Sequence, residues 1–214
     1  MNRSYQRVYQ GVRSDRYSGS KMTNWAEFHP WHSAVEKLYK RHRDGLLPGQ
    51  RGPLVVVEPT SELFVCPLTS EDILDTLGKV PQKFVDDLRA VFVLAGSTKQ
   101  GQVVKTLYCF GTYWRKCIFL APFPKGFMQR VFRRRPKPSI LSGYARAGAQ
   151  IRQTANGLLV EFDRESVRRF YVHDVLMHEL AHHVDRNGNR PGRKSEGFAE
   201  WFATEYGYRL HREI

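Results

Sequence analysis

The chain of 214 residues is long enough for one domain with a sizeable core and a small appendage, but not for two full domains. Hydrophobic residues make up 41% and charged residues 26%, a balance that excludes a disordered chain. No apolar run is long enough to cross a bilayer, so any membrane role would be peripheral.

The first 21 residues are basic, with Asp15 as their one acid. They lack the apolar core of a secretory signal, whereas an organelle transit peptide and a plain basic arm both stay open. From Asn24 to Asp44 apolar residues recur at helical spacing, and we expect an amphipathic helix packed on the main domain. Residues 1–50 are therefore predicted to form a basic N-terminal extension, and residues 51–214 the main domain.

Six short β-branched or aromatic runs, bounded by Gly, Pro or Asn, predict strands of one sheet. They are Leu54–Val57, Leu63–Cys66, Val91–Ala95, Val103–Phe110, Lys116–Leu120 and Leu158–Phe162. A hairpin is expected to turn near Gly111 and Thr112, and helices are expected at Glu71–Leu77 and Gln82–Leu88.

The cysteines Cys66, Cys109 and Cys117 are odd in number and have no C-x-x-C spacing. This pattern argues against a disulfide framework and against a cysteine zinc site. We expect reduced cysteines in the core and a cytoplasmic location.

The net charge of +13 is concentrated between Leu88 and Val160, where there are Lys and Arg residues but no Asp or Glu. Its densest part, expected to be an exposed loop or short helix between prolines, is called the basic patch here and consists of Arg130, Arg133, Arg134, Arg135 and Lys137. Such a region can bind nucleic acid or a nucleic-acid-bound partner, an anionic membrane surface or an acidic protein. A solvated cationic face with no dedicated partner is the alternative.

The last fifty residues are predicted to form two long helices, the first of which carries His178-Glu-Leu-Ala-His182. Residues four apart lie on one helix face, so both imidazoles can bind one ion, and neutral imidazole suits zinc. Glu179 lies at the edge of that face, where its carboxylate can accept a proton from a metal-bound water. The motif therefore predicts a hydrolytic site with one Zn²⁺ ion and room for a third protein ligand.

The second helix offers that ligand. Ser195 is a plausible N-cap, which would put Glu196 in the first turn and Glu200 one turn further on the same face. One carboxylate would then bind the metal and the other would support it. The alternative is that both are simply favourable acids near a helix N-terminus.

Together, His178-Glu-Leu-Ala-His182 and Glu196-Gly-Phe-Ala-Glu200 resemble the gluzincin metallopeptidases, in which H-E-x-x-H is followed on a second helix by a Glu ligand. The resemblance covers about residues 172–206. It implies that Glu196 is the third zinc ligand and that Glu200 orients the first histidine. It also implies a zincin-like α+β domain, with a mixed sheet packed on the active-site helix. The short spacing between the motifs means that the exopeptidase specificity of the large aminopeptidases does not carry over.

The sequence motifs identify the remaining residues of the site less precisely. Asp174 and Asp185 lie near the ligand face and can hold imidazole N–H groups or be exposed helix acids. The strand Leu158–Phe162 is, by fold analogy, the edge strand that would bind an extended peptide. The candidates for stabilising the oxyanion of the transition state are Tyr144, Tyr171, His173, Tyr206 and Tyr208.

The expected function is therefore that of a zinc metallopeptidase acting on proteins or peptides, including acidic or nucleic-acid-bound proteins. The rival expectation is a basic, nucleic-acid-associated binding protein whose zinc is structural or whose site is inactive. The oligomeric state stays open.

Overall fold

The computed structural model describes residues 32–46, 52–96, 110–136, 138–185 and 192–209. Its main sheet contains β1 (Leu54–Val57), β3 (Ala90–Val93), β5 (Cys117–Leu120) and β4 (Gly111–Trp114), in the spatial order β1-β3-β5-β4. The first three run parallel, whereas β4 runs antiparallel to β5. The β-branched and aromatic residues of β3 and β5 are completely buried, as continuous apolar runs predict. The expected α+β class with a mixed sheet is confirmed.

Two smaller sheets complete the β structure of the described residues. The first pairs β2 (Phe64–Val65) with β6 (Phe123–Pro124). The second has β7 (Gln129–Phe132), β9 (Gly157–Glu161) and β8 (Gln150–Thr154) in the antiparallel order β7-β9-β8. The prediction that all strands share one sheet was therefore wrong.

The basic patch was predicted to be a loop or short helix, but its first member, Arg130, belongs to β7. Side chains alternate across a strand, so Val131 points outward with 47% of its surface exposed while Phe132 is buried. The positive charges in this segment had hidden that alternation.

The hairpin was also misplaced. Gly111 and Thr112 lie inside β4, and the chain turns at Arg115 and Lys116, whose φ angles are 53° and 62°. Two left-handed residues make a tight turn that suits the twist of a hairpin, but this geometry usually selects Asn and Gly. Arg115 and Lys116 do not have this preference, so the sequence did not indicate a turn there. Residues 103–109 of the predicted strand Val103–Phe110 lie outside the described residues.

In the described ranges, four α-helices precede the helical segment that carries the motif: α1 (His32–His42), α2 (Ser70–Lys79), α3 (Gln82–Val85) and α4 (Pro138–Arg146). The part of the predicted first helix before His32 lies outside the described residues. Val35 and Leu38 of α1 belong to the same buried core as the main sheet, so the expected packing of this helix is confirmed. The helix α4 was not predicted.

A long helical segment then leads into the motif. It begins with α5 (Arg164–Phe170), passes through a π-helical turn at Tyr171–Leu176 and continues as α6 (Met177–Val184). Asp163 caps it by accepting a hydrogen bond from the Ser166 backbone N–H. The last helix, α7 (Gly192–Phe202), continues into a π-helical turn at Ala203–Arg209.

Three further predictions concern the N-cap of the last helix, the cysteines and membrane-spanning helices. Ser195 lies inside α7 and is not its N-cap. Cys117 is free and buried, as expected, but Cys66 is free and exposed, while Cys109 lies outside the described residues. Over the described ranges, none of the helices combines the length and the apolar character needed to span a bilayer.

A polar contact ties α5 to α2. Arg168 Nε donates to Asp72 Oδ1 at 2.7 Å, and the other Asp72 oxygen accepts from the Thr69 backbone N–H at 2.9 Å. Although partial burial alone would raise the pKa of Asp72, these hydrogen bonds lower it. The charged form of Asp72 is therefore the one that stabilises the fold.

We expect Asp72→Asn to lower the free energy of unfolding by about 1 kcal/mol at neutral pH, because it weakens both the helix cap and the link to Arg168. Asp75→Asn, at an exposed position of the same helix, is the control. The difference should persist above the unfolded-state pKa of about 4 and disappear as the pH falls through the lowered pKa of Asp72. Urea unfolding at stepped pH measures this, and equal effects of the two variants would contradict it.

Candidate metal centre

The packing of α6 against α7 brings the three predicted ligands together. His178 Nε2 lies 3.2 Å from His182 Nε2. Glu196 Oε2 lies 3.4 Å from His178 Nε2, and Glu196 Oε1 lies 3.6 Å from His182 Nε2. Tetrahedral ligands at the usual zinc distances stand about 3.3 Å apart. The three side chains therefore already have the separation that one zinc ion requires.

The electrostatics of this group also favour a cation. Glu196 Oε2 is buried and has no hydrogen-bond partner among the described residues, which is costly unless a cation balances it. Burial lowers the pKa of His182 to about 4, so this imidazole stays neutral and keeps a lone pair for a metal. Burial would also lower the pKa of His178, but Glu196 and Glu179 outweigh it and raise that pKa. His178, His182 and Glu196 can thus hold a metal ion.

Glu179 is buried beside this group, against strand β4. Burial raises the pKa of its carboxyl to about 7, although the Tyr113 backbone N–H donates to it and acts in the opposite direction. A Cβ atom at Gly111 would lie 2.8 Å from Glu179 Cγ and 2.9 Å from Oε1. Position 111 therefore has to be glycine for β4 to pass this close. A carboxyl with such a pKa is suited to taking up and returning a proton near neutral pH.

On the His182 side, Ser195 connects the histidine to Asp185. Ser195 Oγ donates to Asp185 Oδ2 at 3.0 Å and lies 3.5 Å from His182 Nδ1. Asp185 therefore lies near His182, as expected, and the Ser195 hydroxyl lies between the two side chains. The sequence had suggested a cap for Ser195, and only the tertiary structure reveals this contact.

On the His178 side there is a cavity of about 140 Å³, lined by His178, Asp174, Glu200 and Arg146 among others. Asp174 is buried, which raises its pKa to about 6, and it accepts hydrogen bonds from the Tyr208 hydroxyl and from Arg146. Glu200 follows Glu196 by one turn, as predicted, and is exposed. Arg146 was missed because α4 itself was not predicted.

The five oxyanion candidates occupy different environments. Tyr171 is fully buried, and its hydroxyl donates to the Ala121 carbonyl at 2.7 Å. Tyr144 is buried against aromatic rings, and burial raises its pKa to about 12. Tyr206 packs its ring 4.5 Å from that of Phe202. These three are packing residues.

The other two candidates lie together. The His173 and Tyr208 rings are 4.9 Å apart, and the Tyr208 hydroxyl reaches Asp174, which lines the cavity beside His178. Burial and the neighbouring Asp174 carboxylate raise the pKa of Tyr208, so it keeps its proton and remains a hydrogen-bond donor.

The predicted edge strand was wrong. Leu158–Phe162 corresponds to β9, which lies between β7 and β8. The outer strand of the main sheet beside α6, within the described residues, is β4.

His183 links α6 to β4 through one hydrogen bond and to the residue after α3, Asp86, through another. The Tyr113 hydroxyl lies 3.0 Å from His183 Nδ1, and His183 Nε2 lies 2.8 Å from the Asp86 carbonyl. Because a carbonyl only accepts, Nε2 carries the proton and Nδ1 accepts from Tyr113. This link joins residues 70 positions apart, so no sequence pattern signalled it.

The members of the basic patch differ in exposure. Arg133, Arg134 and Arg135 are exposed. Arg130 is half-buried, with its guanidinium 4.2 Å from the centre of the Phe127 ring. Lys137 lies outside the described residues.

Comparison of the chain with protein-family models, with curated proteins and with solved structures finds no match. The function of the site therefore has to be inferred from its own geometry and chemistry.

We expect Glu196→Ala to weaken zinc binding more than about 100-fold, because removing even an outer-shell partner costs about 10–100-fold. Glu205→Ala, on the continuation of the same helix, is the matched control, since Glu205 pairs with Arg209. Competition with a chromogenic chelator measures both affinities. Wild-type affinity in the Glu196 variant would show that this carboxylate is not a ligand.

We expect Gly111→Ala to lower the free energy of unfolding by about 1–3 kcal/mol, because its new methyl group overlaps Glu179 and overpacks the contact between β4 and α6. Gly126→Ala is the control, as a Cβ there meets nothing within 4 Å. Denaturant unfolding of both variants is the measurement, and equal stabilities would contradict the close approach.

Proposed function

We propose that the protein is a zinc-dependent metallopeptidase with a zincin-like domain of the gluzincin type. The observation that carries the proposal is the spacing of His178, His182 and Glu196, whose ligand atoms lie 3.2 to 3.6 Å apart beside the buried carboxyl of Glu179. A structural zinc site needs four protein ligands, whereas three ligands leave a position for water or substrate. The ligand set among the described residues therefore favours hydrolysis over a structural role.

The zincin-like fold is supported by the arrangement of three elements. The helix α6 bears both histidines, α7 follows it with Glu196, and the outer strand β4 packs on α6 over Glu179. An extended peptide would add to β4 as a further strand, with its backbone held by those outer hydrogen-bonding groups of the strand that do not already bind Glu179. This would bring the scissile bond next to Glu179.

When bound, zinc would polarise the scissile carbonyl and lower the pKa of a coordinated water toward ~7. Glu179 would take the proton of the attacking water and deliver it to the leaving amine. The Tyr113 backbone N–H and the close approach of Gly111 hold this carboxyl in place. Tyr208 keeps its proton and is our proposed hydrogen-bond donor to the oxyanion, which requires its hydroxyl to turn from Asp174 to the substrate.

We expect Glu179→Gln to retain zinc and to lose hydrolysis by about 10²–10⁴-fold, because the amide cannot accept a proton. Zinc content is measured by elemental analysis, and hydrolysis by cleavage of denatured proteins and of a fluorogenic peptide mixture with and without chelator. Glu205→Gln is the control and should keep both properties.

An unchanged rate in the Glu179 variant would remove the catalytic role of this residue. Full zinc occupancy of the wild type, together with no chelator-sensitive cleavage of any of these substrates, would favour the rival function of a binding protein with structural zinc.

A further inference from the structure

Three consecutive arginines, Arg133 to Arg135, are called the arginine tract here. They follow the last residue of β7 and precede α4. All three are exposed, whereas Phe132 before them and Pro136 after them are buried. The tract is thus anchored at both ends and presents its side chains to solvent.

The backbone at the start of the tract is also held by close packing. Gly157 has a φ of +129°, and a Cβ there would lie 3.1 Å from the Arg133 Cα atom. Only glycine allows the turn between β8 and β9 to come this near. Because the backbone at the start of the tract is held in place before a ligand arrives, less backbone entropy is lost there on binding.

Within the part of the chain that the structure describes, the charges of the tract are not neutralised. Across the described ranges, no acidic side chain forms an ion pair with any of the three arginines. Glu161, at the end of the adjacent strand β9, is occupied by Arg152 at 2.9 Å and by Gln129 at 3.0 Å. No Asp or Glu occurs between Leu88 and Val160, so the local sequence supplies no other partner.

The surroundings of the tract indicate the chemistry of its ligand. The cores of protein interfaces are rich in apolar and aromatic side chains, and single-stranded nucleic acid needs exposed rings on which bases stack. Here Phe127 and Phe132 are buried, with Arg130 lying 4.2 and 4.8 Å from their ring centres. Val131 is the large apolar side chain exposed next to the tract. Guanidinium groups alone suffice to bind phosphates.

We propose that the arginine tract binds the phosphate backbone of double-stranded nucleic acid without regard to base sequence. A duplex offers the higher density of phosphates. A single strand can bind by stacking its bases on exposed aromatic rings, but the described residues beside the tract present none, so this advantage is lost here. This inference does not depend on the proposed peptidase activity.

The test uses the full chain and two 25-base-pair DNA duplexes of unrelated sequence, with binding followed by fluorescence anisotropy over a range of salt concentrations. The variant replaces Arg133, Arg134 and Arg135 by Gln. The control replaces Lys37, Arg43 and Lys79 by Gln, which removes the same charge from other exposed positions. A third variant replaces the three arginines by Lys and keeps the charge.

We expect both duplexes to bind the wild type equally well, and the Gln variant of the tract to bind at least about 10-fold more weakly. The slope of log affinity against log salt should fall by about two to three, because each phosphate contact contributes about 0.9. The Lys variant should keep most of that slope, and the control should change affinity less than about 3-fold. Glu179→Gln should bind as the wild type does, which separates this result from any failure of the peptidase proposal.

Equal weakening by the tract variant and the control would show that net charge alone attracts DNA, and would overturn the proposal. Binding to a poly-glutamate peptide without binding to either duplex would assign the surface to an acidic protein. A single strand that binds much more tightly than the duplexes would contradict the preference for double strands.

Discussion

The site depends on one close contact, the packing of α6 against α7 that places the half-buried carboxylate of Glu196 next to two imidazoles. The charged and polar atoms of His178, His182 and Glu196 lie within 3.2 to 3.6 Å of one another and are largely removed from water. Such an arrangement is unfavourable unless a cation compensates the carboxylate, since burial penalises an unpaired charge. The helix pair thus already presents these three side chains at the separations that a metal ion would itself impose.

A second layer of contacts holds this pair in register with the sheet. Gly111 lets β4 pass directly over Glu179, while Tyr113 bonds to His183 and thereby to the Asp86 carbonyl. The carboxyl of Glu179 is consequently shielded from solvent, and this burial raises its pKa. The strand that would bind substrate and the residue that would move the proton are therefore positioned by the same contact.

The basic region illustrates how charge can obscure structure. A strand is recognised from its sequence only when polar and apolar residues alternate. In β7 the exposed Val131 and the buried Phe132 are both apolar and stand beside a run of arginines, so no alternation was visible. The same holds for the hairpin turn, where Arg115 and Lys116 occupy left-handed positions that usually carry Asn or Gly. The assignment of β9 as an edge strand failed because sheet order is set by long-range pairing with β7 and β8, which has no local signature.

Features that depend on local periodicity could be predicted from the order of residues along the chain. Helical spacing placed His178 and His182 on one face and Glu196 one turn before Glu200, and apolar runs located β1, β3 and β5. Features that join distant segments could be seen only once the fold was known. These are the distance from Glu196 to the histidines, the passage of β4 over Glu179, the Ser195 bridge to Asp185 and the approach of Arg146 and Tyr208 to Asp174. Such contacts arise from how helices and sheets pack in three dimensions, and no spacing along a chain encodes them directly.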